Sequence, residues 1–517
     1  LHLMPLLESP KGKSDGGYAV SDFRKVREDL GTMEDLEALA TACHRRGISI
    51  CLDFVMNYTS EDHMWAKAAR AGDPTAQARY FFYDNWDIPD QFSKDLPEVF
   101  PATAPGNYTW LDDIGKIVMT SFYPFQWDLN YANPMVFNDM TDNLLYLANR
   151  GVDVIRLDAV PYIWKRLGTN CRNLPEVHTL VCMMKLASKI VCPCVMLLGE
   201  VVMEPKEVLP YFGSPEKPEC DMLYNVTTMC TIWHTLATRD VRLLKHQIRQ
   251  IEGIPSSYLF QNYLRCHDDI GWGLDYGFLA QFGMGEAQHK KYLNDWFTGR
   301  WPGSPARGEL YNDSEWLQDA RLCGTTASLC GIEAALFEKN GDALSTGIAA
   351  DTMLHALMLT MKGIPVLYSG DEIAILNDYT YHFNPDKYAD SRYIHRGPFD
   401  WVMCDLRNKT GTVAARLFGN LMKLIDTRKE YDVFRSDAEM YVAETEDDRI
   451  LGIERRYGDK KLLALFNFSP DHARAVIDTA RWQDLLEPEN EFWPGEDSRM
   501  EYWLEPYGFR WLMAEKE

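Results

Sequence analysis

A ten-residue stretch, Gly151 to Val160, carries the first residues that could do chemistry, and it reads GVDVIRLDAV. Such apolar, β-branched runs are typical of a parallel strand that is buried on both faces. Arg156 and Asp158 stand two positions apart, so their side chains would project to the same side where the strand ends. The arginine would lower the pKa of the Asp158 carboxyl and keep it ionised. The alternative is an ordinary surface pair at the end of a strand.

Two further apolar runs also end in carboxylates. Glu200 follows one of them, and the cluster His267-Asp268-Asp269 follows another. Retaining glycoside chemistry needs an ionised nucleophile and a protonated acid about 5 Å away. Asp158 fits the nucleophile, and Glu200, which has no cation beside it in the sequence, fits an acid with a raised pKa. Asp268 could stabilise the positive charge of the transition state.

Metal binding is the alternative explanation for the His-Asp-Asp cluster. The cluster offers the right ligand types, but the sequence has no second motif at ligand spacing. We therefore expect neither a metal nor a cofactor.

The composition argues against two classes of partner. Lys and Arg number 53 and Asp and Glu 76, a net charge of −23, which argues against nucleic acid and anionic membrane and fits a neutral small substrate. The twelve cysteines are scattered, as free thiols of a reducing compartment would be, so we expect a cytoplasmic protein. The chain begins in what reads as a strand, LHLMP, so we expect an N-terminal portion to precede it. The sequence leaves the oligomeric state open.

The positions of these carboxylates depend on a repeating strand and helix pattern. One predicted helix of this pattern covers Thr231 to Gln250. Seven apolar strand candidates alternate with helices, one fewer than the eight of a (β/α)8 TIM barrel, and the absent strand would be the first. The candidates begin near Leu1, Ile48, Val152, Val195, Met222, Leu259 and Ile364.

The same pattern predicts the domain boundaries. The barrel would comprise residues 1–58, 126–272 and 342–430, with irregular subdomains inserted at 59–125 and 273–341. From 431 to 517 the pattern changes to short alternating strands, which predicts a C-terminal antiparallel β-sandwich.

The sequence motifs at the strand ends resemble those of the α-amylase superfamily of (β/α)8 glycoside enzymes, and within it those of the amylosucrase and sucrose hydrolase group. The superfamily motifs occur in order as Asp53 to Asn57, Gly151 to Asp158, Gly199-Glu200 and Cys266 to Asp268. The segments that resemble the narrower group are Ser14 to Val20, Ser121 to Tyr131, Arg265 to Trp272 and Asp390 to Arg392.

The resemblance implies a role for each strand-end carboxylate. Asp158 would be the nucleophile, Glu200 the general acid/base and Asp268 the transition-state stabiliser. An ion pair between Asp15 and Arg392 would close the floor of a pocket for one glucosyl unit, although an ordinary structural pair is the alternative. The implied glucosyl subsite comprises Asp15, Tyr18, Phe125, Arg156, His267 and Arg392. The implied fructosyl or acceptor side comprises Val202, Asp269 and Arg321.

One position departs from the superfamily pattern. A histidine usually follows the asparagine of the first motif, whereas Tyr58 follows Asn57 here. Tyrosine is larger than histidine and has a different donor geometry, so we expect altered sugar binding at Tyr58. Calcium is common in amylases, but Asp53 and Asn57 alone are not a ligand set, and we expect metal-independent activity.

The expected activity is that of an amylosucrase-like glucosyltransferase. Sucrose would be the donor, fructose the leaving group and an α-1,4-glucan the acceptor. The alternatives within the superfamily are a sucrose hydrolase, a sucrose isomerase and a trehalose synthase. The alternative from another class is a catalytically silent carbohydrate-binding scaffold.

Overall fold

The computed structural model describes residues 1–314, 318–478, 482–489, 491–492 and 499–514. The chain divides into two compact units. The first unit contains Leu1–Val202 and Lys206–Tyr224, and the second contains Met203–Pro205 and Asn225–Glu517. The predicted ranges 273–341 and 431–517 include residues outside the described part, and the domain boundaries stay predictions.

The first unit alternates strands and helices. Its strands are β1 (His2–Leu3), β2 (Leu7–Glu8), β3 (Asp22–Val26), β4 (Cys51–Val55), β5 (Tyr58–Ser60), β6 (Phe82–Tyr83), β7 (Tyr108–Leu111), β8 (Lys116–Met119), β9 (Gln126–Asp128), β10 (Val154–Asp158), β11 (Met196–Gly199) and β12 (Met222–Tyr224). Its helices are α1 (Met33–His44), α2 (Met64–Arg70), α3 (Pro74–Gln77), α4 (Asp87–Phe92), α5 (Pro134–Asn149), α6 (Pro175–Val191) and α7 (Pro205–Val208). Single turns of 3-10 helix cover Asp15–Gly17, Val160–Tyr162 and Leu209–Phe212.

A parallel sheet in the order β1-β4-β10-β11-β12 organises the first unit. Its central strands are apolar on both faces, and Leu52, Ile155 and Leu197 are completely buried. This burial explains the near-continuous apolar runs of the sequence. All five strands that were predicted in this part of the chain are confirmed.

Gly151 lets the chain turn directly from α5 into the strand that carries Arg156. Its φ is +94°, and a Cβ at this position would lie 2.8 Å from the Cβ of Ala40 on α1. A side chain here would strain the backbone and clash, so the position requires glycine.

The segment between β4 and β10 contains short antiparallel sheets. β6, β8 and β7 form one sheet, and β5 pairs with β9. The aromatic residues of this segment pack edge to face, with Tyr80 and Phe82 both against the buried Trp127. Aromatic residues of the predicted insertion thus pack on Trp127, which lies two residues beyond its predicted end.

The second unit combines helices with both parallel and antiparallel strands. Its helices are α8 (Val226–Thr238), α9 (Arg242–Arg249), α10 (Tyr276–Ala280), α11 (Glu286–Phe297), α12 (Thr326–Leu329), α13 (Ile332–Glu338), α14 (Gly341–Thr360), α15 (Trp401–Leu406) and α16 (Val413–Glu430). Its strands are β13 (Leu259–Asn262), β14 (Glu309–Tyr311), β15 (Arg321–Cys323), β16 (Ile364–Pro365), β17 (Glu439–Ala443), β18 (Ile450–Tyr457), β19 (Lys460–Asn467), β20 (Ala473–Asp478), β21 (Trp482–Asp484), β22 (Glu491–Phe492), β23 (Arg499–Leu504) and β24 (Phe509–Ala514). Its 3-10 turns cover Asp371–Ile373, Tyr379–Phe383, Ser391–His395 and Asp432–Phe434.

β13 and β16 pair in parallel, which confirms the last two predicted strands of the repeating type. The helix predicted from Thr231 to Gln250 is wrong in one respect, because two helices, α8 and α9, occupy this region. Arg239 ends α8 in the left-handed conformation, with φ of 59°, and the chain restarts as α9 at Arg242. Apolar periodicity alone cannot reveal a break of this kind.

The C-terminal strands form the predicted antiparallel sandwich. One sheet has the order β17-β18-β19-β24-β21-β22, and β20 pairs with β23 in a second sheet. A shared core joins the two sheets: Leu463 and Leu512 of the first pack with Ala475 and Leu504 of the second.

Candidate active site

Arg156 connects three carboxylates at the end of the parallel sheet in the first unit. Its Nη1 lies 2.8 Å from Oδ1 of Asp53 and 2.8 Å from Oδ1 of Asp158. Its Nη2 lies 2.7 Å from Oε1 of Glu200. The guanidinium is completely buried, so these interactions are poorly screened by water. One cation thus holds two predicted catalytic carboxylates side by side.

Strand register brings these side chains together. Arg156 of β10 is directly beside Asp53 of β4, and Glu200 immediately follows β11, the other neighbour of β10. Ala159 then takes the left-handed conformation, with φ of 48°, and its backbone N–H donates to Oε2 of Glu200 at 2.9 Å. Such strain in a non-glycine residue is typical of functional sites.

The argument that Arg156 distinguishes Asp158 from Glu200 is wrong, because Arg156 contacts both carboxylates. Burial and the negative charge of Glu200 raise the pKa of Asp158 well above its usual value, although Arg156 opposes them. Glu200, which has no cation beside it in the sequence, receives both Arg156 and the Ala159 N–H. The physical reason is that a long arginine side chain reaches the neighbouring strand, which sequence adjacency does not reveal. Two interacting carboxyl groups of this kind do not titrate independently of each other.

Two tyrosines surround the Arg156 guanidinium. It lies 5.7 Å from the ring centre of Tyr18 and 5.4 Å from that of Tyr224, and its Nε donates to the Tyr224 hydroxyl at 3.0 Å. Tyr18 was predicted as a site residue, whereas Tyr224 and Asp53 were missed as partners of Arg156. Asp53 could have been found, because it too stands near the carboxyl end of a predicted strand.

Tyr58 is buried next to the carboxylates. It lies on β5 opposite Asp128 of β9, and its ring packs 5.2 Å from that of Phe122. Burial and then the negative charge of Asp158 raise the pKa of its hydroxyl well above the usual value. Tyr58 therefore presents a neutral hydroxyl where the superfamily usually has histidine. His63 does not replace that histidine, because it caps α2 and accepts the Trp65 backbone N–H.

Asp15 begins a 3-10 turn, and Phe125 lies in a loop of the first unit. Asp15 has a φ of 49°, and Oδ2 accepts from Nε2 of Gln126 at 3.3 Å. Phe125 precedes β9 and stacks on Tyr123 with 5.2 Å between ring centres. Val202, also predicted for the site, is 62% exposed.

The ammonium group of Lys165 is surrounded by oxygen atoms, one of them from Asn57. Its Nζ lies 2.7 Å from Oδ2 of Asp128, and it donates to Oδ1 of Asn57 at 3.1 Å and to the Tyr162 carbonyl at 2.6 Å. The lysine side chain is 1% exposed. A calcium ion does not fit here, because the ammonium occupies the position that these oxygens surround.

The second unit carries the predicted stabiliser, Asp268, in a cluster of charges. Its Oδ2 lies 3.1 Å from Nε2 of His267, and its Oδ1 lies 3.5 Å from Arg392 and 3.4 Å from Arg396. Arg396 also donates to the His267 carbonyl at 2.6 Å. Arg396 was missed because its role depends on a 3-10 turn far along the chain, not on a strand end.

The remaining predicted residues of the second unit lie in the same cluster. Arg321, on β15, approaches Oδ2 of Asp269 at 3.5 Å. Burial raises the pKa of Asp269, and Arg321 opposes that rise. Arg392 also forms a two-pronged ion pair with Asp390, with Nη2 to Oδ2 at 2.7 Å. Asp15 belongs to the first unit, and its predicted ion pair with Arg392 stays a prediction.

The donors of Cys266, His267 and Asp268 lie within 4.8 Å of one another, and their types could hold a metal ion. Arg392 and Arg396 both approach Asp268, however, and two guanidiniums repel a divalent cation. This charge pattern supports the expectation that the cluster is not a metal site.

The comparisons with known proteins agree with this geometry. Residues 1–270 match the model of the α-amylase catalytic domain. The chain belongs to the α-amylase family. A curated trehalose synthase of Pimelobacter sp. is 30% identical over 72% of this chain and 59% of its own length. A curated glucosylglycerate phosphorylase of Allomeiothermus silvanus is 27% identical over 95% of this chain and 84% of its own length.

The chain spans a little over half the length of the curated trehalose synthases to which it is 30 to 32% identical. Among solved structures, a mutant trehalulose synthase in complex with Tris has a TM-score of 0.70 and 19% identity, covering 99% of this chain and 92% of its own. These matches confirm the α-amylase superfamily and its barrel fold.

No helix in the described part of the chain is both long and apolar enough to cross a membrane. The expected lack of a membrane partner and the cytoplasmic location both stay predictions.

Proposed function

We propose that this chain transfers glucosyl units of small α-glucosides with retention of configuration. The observation that carries the proposal is the Arg156 guanidinium, which holds Asp158 and Glu200 side by side at the end of adjacent strands. A nucleophile and an acid at such close range are what a double displacement requires.

In the first step, Asp158 attacks the anomeric carbon of the donor and Glu200 protonates the leaving oxygen. The products are a β-glucosyl ester on Asp158 and the free leaving sugar. In the second step, Glu200 removes a proton from an acceptor hydroxyl, which attacks the ester and regenerates an α-glucoside. Asp268 would stabilise the positive charge of both transition states.

The protonation states of Asp158 and Glu200 set a condition on this mechanism. In the free protein Glu200 accepts two N–H donors, which favours its ionised form, while the pKa of Asp158 is raised. Productive binding therefore requires the proton on Glu200 and the charge on Asp158. The leaving oxygen of a bound glucoside would favour this exchange by accepting a hydrogen bond from Glu200.

The donor we favour is a disaccharide, and the reaction we favour is isomerisation of the trehalose synthase type. The support is the similarity to the trehalose synthase of Pimelobacter sp., together with a predicted pocket that accepts one glucosyl unit. Sucrose isomerisation or hydrolysis uses the same steps with a different leaving group or with water as acceptor. Amylosucrase-like transfer from sucrose to an α-1,4-glucan is the second candidate, which the segments around Ser14, Ser121 and Arg265 favour.

A silent scaffold is the least favoured alternative. Burying Asp53, Asp158 and Glu200 around one arginine is costly, and a scaffold has no need of it.

The test is incubation of the purified protein with maltose, trehalose and sucrose in separate reactions, with all sugars quantified by chromatography. Trehalose from maltose supports the isomerase. Fructose with iodine-staining polymer from sucrose supports the second candidate, and equal glucose and fructose support a hydrolase. No product from any of the three sugars, from a folded protein, would contradict the proposal. The matched control is Glu200→Gln, which retains the hydrogen-bonding shape but cannot donate an acidic proton.

A further inference from the structure

His2 begins a series of ion pairs that ends at the Asp158 and Glu200 carboxylates. Its Nε2 lies 3.3 Å from Oδ2 of Asp53. The other oxygen of Asp53 lies 2.8 Å from Nη1 of Arg156, the same nitrogen that contacts Asp158. His2 is therefore two ion pairs away from Asp158.

The residues of this series of ion pairs are largely shielded from water. The side chains of Asp53 and Arg156 are 0% and 2% exposed, and that of His2 is 15% exposed. Strand register fixes the arrangement, because His2 of β1 pairs with Cys51 of β4, and Asp53 lies two residues further along that strand. Charges in such a buried chain influence one another strongly.

The charge of His2 follows from its surroundings. Burial alone would lower its pKa, but the hydrogen bond and negative charge of Asp53 raise the pKa of His2 to about 9. The titratable side chains that act on it are Asp53 and Cys51, both on β4. At neutral pH this charge distribution places a cation on each side of Asp53.

Charged and titratable groups also surround Arg156 and Asp158 at the other end of this series of ion pairs. Asp53, Tyr18, Tyr224 and Glu200 act on Arg156, and Glu200, Arg156 and Asp53 act on Asp158. Without a cation at His2, Arg156 alone would balance the negative charge of Asp53. Arg156 would then stabilise the negative charge of the Asp158 and Glu200 pair less.

We propose that His2 is a positioning residue, which acts through Asp53 and Arg156 to stabilise the negative charge of the Asp158 and Glu200 pair. It touches neither substrate nor reacting atoms. The kinetic part of this inference rests on the proposed glucosyl transfer, whereas the titration of His2 itself does not.

The kinetic test is the pH profile of kcat/KM for His2→Gln, which retains a polar side chain but removes the charge. Loss of the cation raises the pKa of the carboxylate pair, so the acid limb of the profile should move upward by about one pH unit. His2→Lys, which restores a positive charge, should return the limb close to its wild-type position.

His178→Gln is the matched control. Nδ1 of His178 lies 2.9 Å from Oε2 of Glu219 in the same unit, and this pair has no contact with Arg156 among the interactions described. Its profile should match the wild type. The proposal would be overturned if His2→Gln lowered kcat/KM without shifting the acid limb, or if His178→Gln shifted the acid limb by the same amount.

A second measurement needs neither activity nor the glutamine variant to fold. The wild-type protein, with carbon-13-labelled histidine rings, is titrated by NMR, and the His2 signal is assigned by its absence in His2→Lys. The inference predicts titration near pH 9. Titration near 6.5, the ordinary histidine value, would show that Asp53 does not hold a cation at His2 and would overturn the proposal, whatever the sugar assays show.

Discussion

Replacement of Arg156 by methionine perturbs the site most directly. Methionine fills similar volume but leaves Asp53, Asp158 and Glu200 without the cation that lies within 2.8 Å of each of them. Breaking one buried ion pair costs about 3 to 5 kcal/mol. The three pairs share one guanidinium, so their costs do not add, and we expect a total loss of about 4 kcal/mol near pH 8.

The loss should depend on pH in a defined direction. In the variant, the buried carboxyls have pKa values above those of the unfolded chain, so the folded state binds more protons. Their contribution to stability is then favourable at low pH and is lost as pH rises through the raised folded pKa. The difference in stability between Arg156→Met and wild type should therefore be larger at pH 8 than at pH 5.

Urea unfolding, followed by tryptophan fluorescence at both pH values, measures this difference. Arg166→Met is the control, because Arg166 pairs at 2.8 Å with Glu176 on the surface of the same unit. An exposed pair contributes about 0 to 1 kcal/mol, so the control should remain close to wild type. An Arg156→Met protein as stable as the control, or a loss that is equal at pH 5 and pH 8, would refute the reasoning.

Three further predictions concern other residues. Tyr58→Phe retains the ring contact with Phe122 but removes the hydroxyl, so KM for the donor should rise about tenfold in steady-state assays while the melting temperature stays within error. Lys165→Met leaves the buried Asp128 without its cation and should destabilise the protein by about 3 kcal/mol in urea unfolding. Because Lys165 supplies the positive charge here, a chelator should not change turnover by the wild type. Loss of turnover with a chelator would contradict this role of Lys165. Burial lowers the pKa of His234 to about 3, so the folded state resists protonation and stability falls as pH drops below 6.5. His234→Leu should remove about 2 kcal/mol of the loss between pH 7 and pH 5, and equal acid sensitivity of both proteins would exclude this role.

The sequence predicted the strands well because their burial leaves a local signal. Apolar runs at Ile155 and Leu197 are buried on both faces, and the alternating pattern after Tyr431 corresponds to strands of the sandwich. The fold class was therefore accessible from short segments of sequence.

The electrostatics of the site were not accessible in this way. Arg156 contacts Glu200 across strands that are 44 residues apart in sequence, and its Nε reaches Tyr224 across 68 residues. Lys165 reaches Asn57 across 108 residues. Contacts of this kind depend on register and side-chain reach, so the sequence identified the carboxylates but not the partners that set their protonation.

Trapping the glucosyl intermediate tests the central claim most directly. A fluorinated glucosyl fluoride, which forms the ester readily but releases it slowly, is incubated with the wild-type protein, and the digested peptides are analysed by mass spectrometry. The account predicts one added fluoroglucosyl group on the peptide that contains Asp158, and no adduct in Asp158→Asn. An adduct on a different carboxylate, or none on a folded protein that turns over a disaccharide, would contradict it.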